Sequence, residues 1–129
     1  MFFSRRRNQI LVIDDDASLR RQLRFRLEKF DNADVIEAEN GKTGLAEAYK
    51  NAPDLIILDW MMPDIEGDEV LRNLREGDKT KRIPVIMLTG KNKIGDIENA
   101  FDLGADLYLT KPFTLQQISE KVQELLGKK

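Results

Sequence analysis

Gln9-Ile10-Leu11-Val12-Ile13-Asp14-Asp15-Asp16 carries the reading on which the fold turns. Its continuous apolar run, without alternation, suits a strand buried on both faces, as in a parallel sheet covered by helices. Three acids then interrupt it. Beyond them Leu19, Leu23, Leu27 and Phe30 recur at helical spacing, one stripe of an amphipathic helix, with Arg20, Arg21, Arg24 and Lys29 mostly off it. A buried strand followed by a helix is one βα unit.

The same unit recurs to the end of the chain. Val35-Ile36-Glu37-Ala38 reads as a second strand, and Gly41 to Tyr49 as a second helix with Leu45, Ala48 and Tyr49 inward and Pro53 beyond its end. Leu55-Ile56-Ile57-Leu58 is the third strand, and Val70, Leu71 and Leu74 mark the third helix. Ile83-Pro84-Val85-Ile86-Met87-Leu88 is the fourth strand, with Pro84 near its start, where a missing donor is tolerated. Ile94, Ile97 and Phe101 stripe a fourth helix stopped by a C-cap at Gly104. Asp106-Leu107-Tyr108-Leu109-Thr110 is the fifth strand, and Leu115, Ile118, Val122 and Leu125 belong to the fifth helix. Five βα units predict an α/β protein with a doubly wound five-stranded parallel sheet. On pattern alone, the flavodoxin-like (βα)5 order 2-1-3-4-5 and half of a dinucleotide-binding fold both remain open.

The 129 residues make a single domain, 1–129, with residues 1–8 expected to form a loosely ordered arm carrying Arg5, Arg6 and Arg7. The chain has neither cysteine nor histidine. Thiol nucleophiles, imidazole acid–base chemistry and His/Cys metal sites are therefore excluded, and any metal must sit on oxygen ligands. With 21 basic and 23 acidic residues, net −2, no global charge draws the chain to nucleic acid or to an anionic membrane. No apolar stretch approaches the ~20 residues a membrane span requires. The start, with Arg5 to Arg7 behind a short apolar pair, does not read as a secretory signal. A cytoplasmic location is the expectation.

Four strands end in a polar residue that burial does not require: Asp14 and Asp15, Asp59, Thr89 and Lys111. The second strand lacks one, and in the order 2-1-3-4-5 it lies at the edge. Ligands of open α/β sheets bind beyond the carboxyl ends of the strands at the switch point, so these five residues should share one crevice. Asp16 or Ser18 is better read as a helix N-cap. Two carboxylates ~5 Å apart repel by about 3 kcal/mol at an effective dielectric of ~20. Three together raise one another's pKa or call for a cation, and Mg²⁺ suits a few carboxylates completed by water and phosphate oxygens. A carboxylate there can also act as nucleophile toward a phosphoryl donor, with an ammonium such as Lys111 neutralising charge and a Thr89 hydroxyl donating to a phosphoryl oxygen.

From about Gln9 to Leu126 the sequence resembles a response regulator receiver domain of two-component signalling, chemotaxis regulators included. The likeness is carried by Ile10-Leu11-Val12-Ile13-Asp14-Asp15, Leu58-Asp59-Trp60-Met61-Met62-Pro63 with Gly67 after it, Leu88-Thr89-Gly90, and Tyr108-Leu109-Thr110-Lys111-Pro112-Phe113. It implies that Asp59 is the phosphoacceptor and the modified residue, and that Asp14, Asp15, Asp59 and the backbone carbonyl of Met61 hold Mg²⁺. It also implies that Lys111 pairs with the phosphoryl group, that Thr89 and Tyr108 form the switch, that Gly90 leaves the site open, and that Lys111-Pro112 is a cis bond. Met61 and Lys91 fall where the family tunes its rates; Met61 cannot orient water, so self-dephosphorylation should be slow to moderate. Trp60 should report binding by its fluorescence.

The resemblance further implies a phosphorelay role. A histidine kinase or phosphotransfer protein would load Asp59, and the fourth helix, fifth strand and fifth helix would form the face for a downstream protein or the chain's own output domain. No nucleic acid or membrane partner is expected of this chain alone. It should be a monomer, with dimerisation through the same face open to the activated form. The result is a self-phosphorylating and self-dephosphorylating switch, not a turnover enzyme. A haloacid-dehalogenase-like phosphohydrolase would need a second Asp at position 61, where Met61 stands, and a flavodoxin-like cofactor site would be repelled by Asp14 to Asp16. The end shortly after Leu126 fits either a free-standing receiver or a piece of a longer regulator.

Overall fold

The computed structural model describes residues 7–90 and 94–127. Five strands, β1 (Asn8–Ile13), β2 (Ala33–Ala38), β3 (Leu55–Asp59), β4 (Val85–Thr89) and β5 (Leu107–Thr110), alternate with five helices, α1 (Ala17–Phe30), α2 (Gly41–Asn51), α3 (Gly67–Glu76), α4 (Ile94–Asp102) and α5 (Leu115–Leu126). The strands are parallel in the order β2-β1-β3-β4-β5. That order settles the choice left open by the pattern in favour of the flavodoxin-like arrangement.

The unbroken apolar strands are explained by two cores, one on each face. Leu11, Ile13, Ile56, Leu58, Val85 and Met87 point to one side and pack with Ala48 of α2, Val70, Leu71 and Leu74 of α3, and Ala100 of α4. Ile10, Val12, Leu55, Ile57, Ile86 and Leu88 point to the other and meet Leu23 and Leu27 of α1 and Ile118 and Val122 of α5. Alternate residues of one strand thus serve opposite cores. Truncating any of these buried Leu or Ile side chains to Ala should cost about 2–5 kcal/mol.

Local signals bound the helices, with Asp16 and Gly104 in the capping positions expected of them. The Asp16 side chain caps α1 by accepting from Leu19 N–H at 3.1 Å, and Thr114 caps α5 in a reciprocal pairing with Gln117. Gly104 follows α4 at φ 111°, a conformation open to glycine. The Lys111–Pro112 bond is cis.

Several sequence expectations give way. Phe30, Tyr49 and Phe101, assigned to inward stripes, are exposed. Phe30 ends α1, Tyr49 is in the last turn of α2 and Phe101 is next to last in α4, so helical phase alone does not put them over the sheet. β4 starts at Val85; Pro84 precedes it and still accepts Ile56 N–H at 3.0 Å. Two residues of the arm expected to be loose over 1–8 are held in place: Asn8 begins β1, and the Arg7 guanidinium bonds to Asn32, Asp34 and the carbonyls of Glu28 and Ala33. Residues 1–6, with Arg5 and Arg6, and Lys91 lie outside the described residues.

At the edge, the backbone of β2 is occupied by side chains. Val35 N–H donates to Glu28 at 3.1 Å, Val35 C=O accepts from Arg24 at 2.6 Å, and Ala33 C=O accepts from Arg7. These bonds satisfy groups an edge strand otherwise leaves open.

Candidate functional site

β1, β3, β4 and β5 deliver their terminal residues to one end of the sheet, because the register sets Ile13 beside Leu58, Asp59 beside Leu88, and Thr89 beside Thr110. One carboxylate oxygen from each of Asp14, Asp15 and Asp59 falls within a 4.8 Å cluster. Asp14 and Asp59 are buried and Asp15 is exposed, so the crevice has two sunken acids and one at its rim. Lys111 places its ammonium 3.7 Å from Asp59 Oδ1, too far for a hydrogen bond but within ion-pair range. Thr89 is fully buried, and its carbonyl accepts Lys111 N–H at 2.8 Å, tying the ends of β4 and β5 together.

The electrostatics follow from burial. Loss of hydration pushes the Asp59 carboxyl up to about 6, and the neighbouring Asp14 charge adds to this; Lys111 and the Met61 N–H, which donates to the carboxylate, oppose it. Asp14 is also raised, chiefly by burial, against the N–H of Asp16 donating to its Oδ1 at 2.9 Å. Asp14 Oδ2 and Asp59 Oδ1 are buried and accept no hydrogen bond. Buried carboxylate oxygens without donors are costly unless a cation compensates. Hard oxygen donors at this spacing fit a divalent ion such as Mg²⁺, so the cluster can hold a metal.

Supporting residues complete the frame. Trp60, next to Asp59, is buried, and its ring meets that of Tyr108 edge-on at 6.3 Å. Burial and the nearby Asp96 carboxylate push the Tyr108 phenol up to about 12. Met61 exposes its side chain, and only its N–H is seen to engage Asp59. At Gly90 a Cβ would meet nothing within 4 Å among the described residues.

Two supports were given no structural role from the sequence, Gly67 having been quoted only as part of the likeness. A Cβ at Gly67 would lie 2.6 Å from both the Asp59 carbonyl oxygen and Trp60 Cα, and its N–H donates to the Trp60 carbonyl at 2.6 Å. Gly67 therefore lets α3 start against the backbone that carries Asp59; its distance of eight positions after Asp59 in a Pro-containing loop was the available signal. Arg20, read only as polar surface of α1, reaches back to donate to the Asp14 carbonyl at 2.7 Å.

Comparison with known proteins agrees with this geometry. The model for the response regulator receiver domain matches residues 10–123. The chain is 42% identical over 118 residues to the transcriptional regulatory protein ResD of Bacillus subtilis, covering 92% of this chain and 48% of ResD. It shares 42% identity with the DNA-binding dual master transcriptional regulator RpaA of Synechocystis, with the same coverage of 92% and 48%. The chemotaxis protein CheY1 of Helicobacter pylori is 33% identical over 120 residues, 92% of this chain and 97% of CheY1. Among solved structures, Vibrio cholerae CheY4 superposes with a TM-score of 0.88 at 29% identity, covering 94% of this chain and all of that one. The chain thus spans about half the length of the transcriptional regulators it matches and nearly all of CheY1. A sheet ending in three converging acids and a lysine, matched by a family model over most of its length, places this chain in the response regulator receiver family of two-component signalling.

Proposed function

We propose that this receiver takes a phosphoryl group onto Asp59 and uses the new charge to alter a partner surface. The observation that carries the reading is the 4.8 Å cluster of Asp14, Asp15 and Asp59, with Lys111 3.7 Å from the central acid. Asp14, Asp15, Asp59 and the Met61 backbone carbonyl would hold Mg²⁺, which when bound offsets carboxylate repulsion and neutralises charge on phosphoryl oxygens.

The remaining work belongs to the chain. An Asp59 carboxylate oxygen attacks phosphorus, the bond from phosphorus to the donor nitrogen breaks, and the electron pair leaves with that nitrogen. Lys111 draws one phosphoryl oxygen and the Thr89 hydroxyl donates to another. The product is an aspartyl phosphate with close to two negative charges. Movement of the Thr89 loop toward it would let Tyr108 shift against Trp60 and change the face of α4, β5 and α5. Moving such an element from 1:99 to 99:1 needs about 5.5 kcal/mol, within reach of a few charge-assisted hydrogen bonds of about 1.5–3 kcal/mol each.

Receiver domains take phosphate from histidine kinases and act on downstream targets. For this chain, acting in the cytoplasm, the donor would be a histidine kinase or phosphotransfer protein. Its target would be a separate protein, as the CheY1 match suggests, or an attached output domain, as the longer relatives suggest. Among the described residues no helix is long and apolar enough to cross a membrane.

The test is incubation of wild type and Asp59→Asn with acetyl phosphate and Mg²⁺, read by intact mass and peptide mapping. One phosphoryl adduct on Asp59, lost in the variant and on chelation, is expected. An adduct elsewhere, or none under any condition, rejects the reading.

A further inference from the structure

Three hydrogen bonds hold the backbone from which the acidic pair projects. Asp14 N–H donates to Ala38 C=O at 3.1 Å, fixing the peptide plane before Asp14. Asp16 N–H donates to Asp14 Oδ1 at 2.9 Å, fixing the plane after Asp15. The plane between the two acids is held by Arg20, whose Nη1 donates to Asp14 C=O at 2.7 Å. Because each peptide is rigid, the direction of a Cα–Cβ bond is set by the planes on either side of it. The middle plane is shared by both acids, so its orientation bears on both carboxylates at once.

Arg20 is itself braced. Its Nε donates to Glu37 Oε1 at 3.0 Å, and Glu37 Oε2 accepts from Arg24 Nη1 at 2.8 Å. Arg24 in turn holds Val35 C=O of β2 at 2.6 Å. The Arg20 side chain is 14% exposed, little enough that solvent does not readily compete for these bonds. The strand that contributes no residue to the crevice thereby anchors, through Glu37, the arginine that orients the crevice.

We propose that Arg20 is a positioning residue for the metal-binding carboxylates: its bond to the Asp14 carbonyl locks the Asp14–Asp15 peptide, so that both acids are aimed at Asp59 before any cation arrives. This rests on the proposed reading of the site as a divalent-cation centre. A purely electrostatic role for Arg20 predicts the opposite sign. A guanidinium near the acids repels an incoming cation, so its removal would tighten binding, whereas loss of positioning weakens it.

The two accounts are separated by Mg²⁺ titrations of the full chain followed through Trp60 emission and checked by calorimetry. Wild type, Arg20→Gln, Arg20→Lys, Glu37→Gln and Arg21→Gln are compared, with thermal melts to establish folding. Backbone amide exchange at Asp15 and Asp16 is measured on the metal-free proteins. Arg20→Gln should bind Mg²⁺ about 10-fold more weakly, the scale of a lost supporting contact at a metal site. Arg20→Lys should recover part of that loss, Glu37→Gln should show a smaller loss than Arg20→Gln, and Arg21→Gln, which removes an exposed charge one residue along α1, should match wild type. Exchange at Asp15 and Asp16 should quicken in Arg20→Gln. Unchanged or tighter Mg²⁺ binding in Arg20→Gln, or an equal loss in Arg21→Gln, overturns the proposal. If wild type binds no Mg²⁺, the cation reading of the site fails instead, and the exchange rates alone decide whether Arg20 orders the acidic pair. Should Arg20→Gln not fold, Glu37→Gln decides: wild-type affinity with wild-type exchange rejects the role.

Discussion

Lys111 Nζ stands 3.7 Å from Asp59 Oδ1, an oxygen that is buried and accepts no hydrogen bond. The lysine is the main side-chain influence holding the Asp59 carboxyl down against burial and the Asp14 charge. In Lys111→Met the Asp59 carboxyl should therefore titrate above its present value of about 6. Labelling by acetyl phosphate at pH 7 should fall about 10-fold or more as a charge on the transferring group goes unmatched. Carbon NMR of the Asp59 carboxyl across pH, alongside labelling rates, checks both. An unmoved titration would separate Lys111 from the acceptor.

Asp59→Asn should stabilise the metal-free protein at neutral pH. The folded Asp59 carboxyl titrates near 6 rather than 3.8, so the folded state binds the proton more tightly than the unfolded one. Ionisation above that pH therefore opposes folding, while below the unfolded value both states are protonated and the penalty vanishes. A shift of this size corresponds to about 2–3 kcal/mol. The gap between melts of the two proteins in chelator should open as pH rises from about 4 to about 6 and stay constant above that. Saturating Mg²⁺ should narrow the gap by stabilising wild type.

Gly67→Ala tests how closely α3 approaches the end of β3. Its new Cβ would press within 2.6 Å of Asp59 O and Trp60 Cα, both backbone atoms that cannot rotate away. A loss of about 1–3 kcal/mol is expected, the usual cost of overpacking. Trp60 emission should change before any ligand is added. Gly90→Ala, with no described atom within 4 Å of the added carbon, is the matched variant expected to melt like wild type.

Thr89→Ala should keep the ability to be labelled at Asp59 but lose the transmitted change. Thr89 sits at the end of β4, joined through its carbonyl to Lys111, with Tyr108 two residues before its partner Thr110 on β5. In wild type the Tyr108 ring should move relative to Trp60 on phosphorylation, seen as shifts in its NMR signals. The variant should show less than half of that shift at equal labelling. Full-size shifts would sink the proposed coupling.

The fold was legible because burial on two faces leaves a plain mark: Leu55-Ile56-Ile57-Leu58 alternates between two cores, and no solvent-facing position interrupts it. The cluster was legible for the complementary reason, since Asp14, Asp59 and Thr89 follow runs of buried apolar strand residues and Lys111 comes directly after β5. What escaped were contacts made by long side chains folding back over sequence-distant backbone. Arg7 reaching Ala33 and Arg20 reaching Asp14 look, in sequence, like any solvated arginine. Phe30, Tyr49 and Phe101 escaped because helical phase gives an angle but not whether the sheet extends beneath it.

The hydrogen-bonding groups of Val35 and Ala33 are already spoken for by Glu28, Arg24 and Arg7. A second molecule therefore cannot extend the sheet at that margin, rung on rung, without first evicting charged side chains. The polar side chains of α1 and of the residue before β1 thus act as a guard along this margin, opposing cross-β growth there.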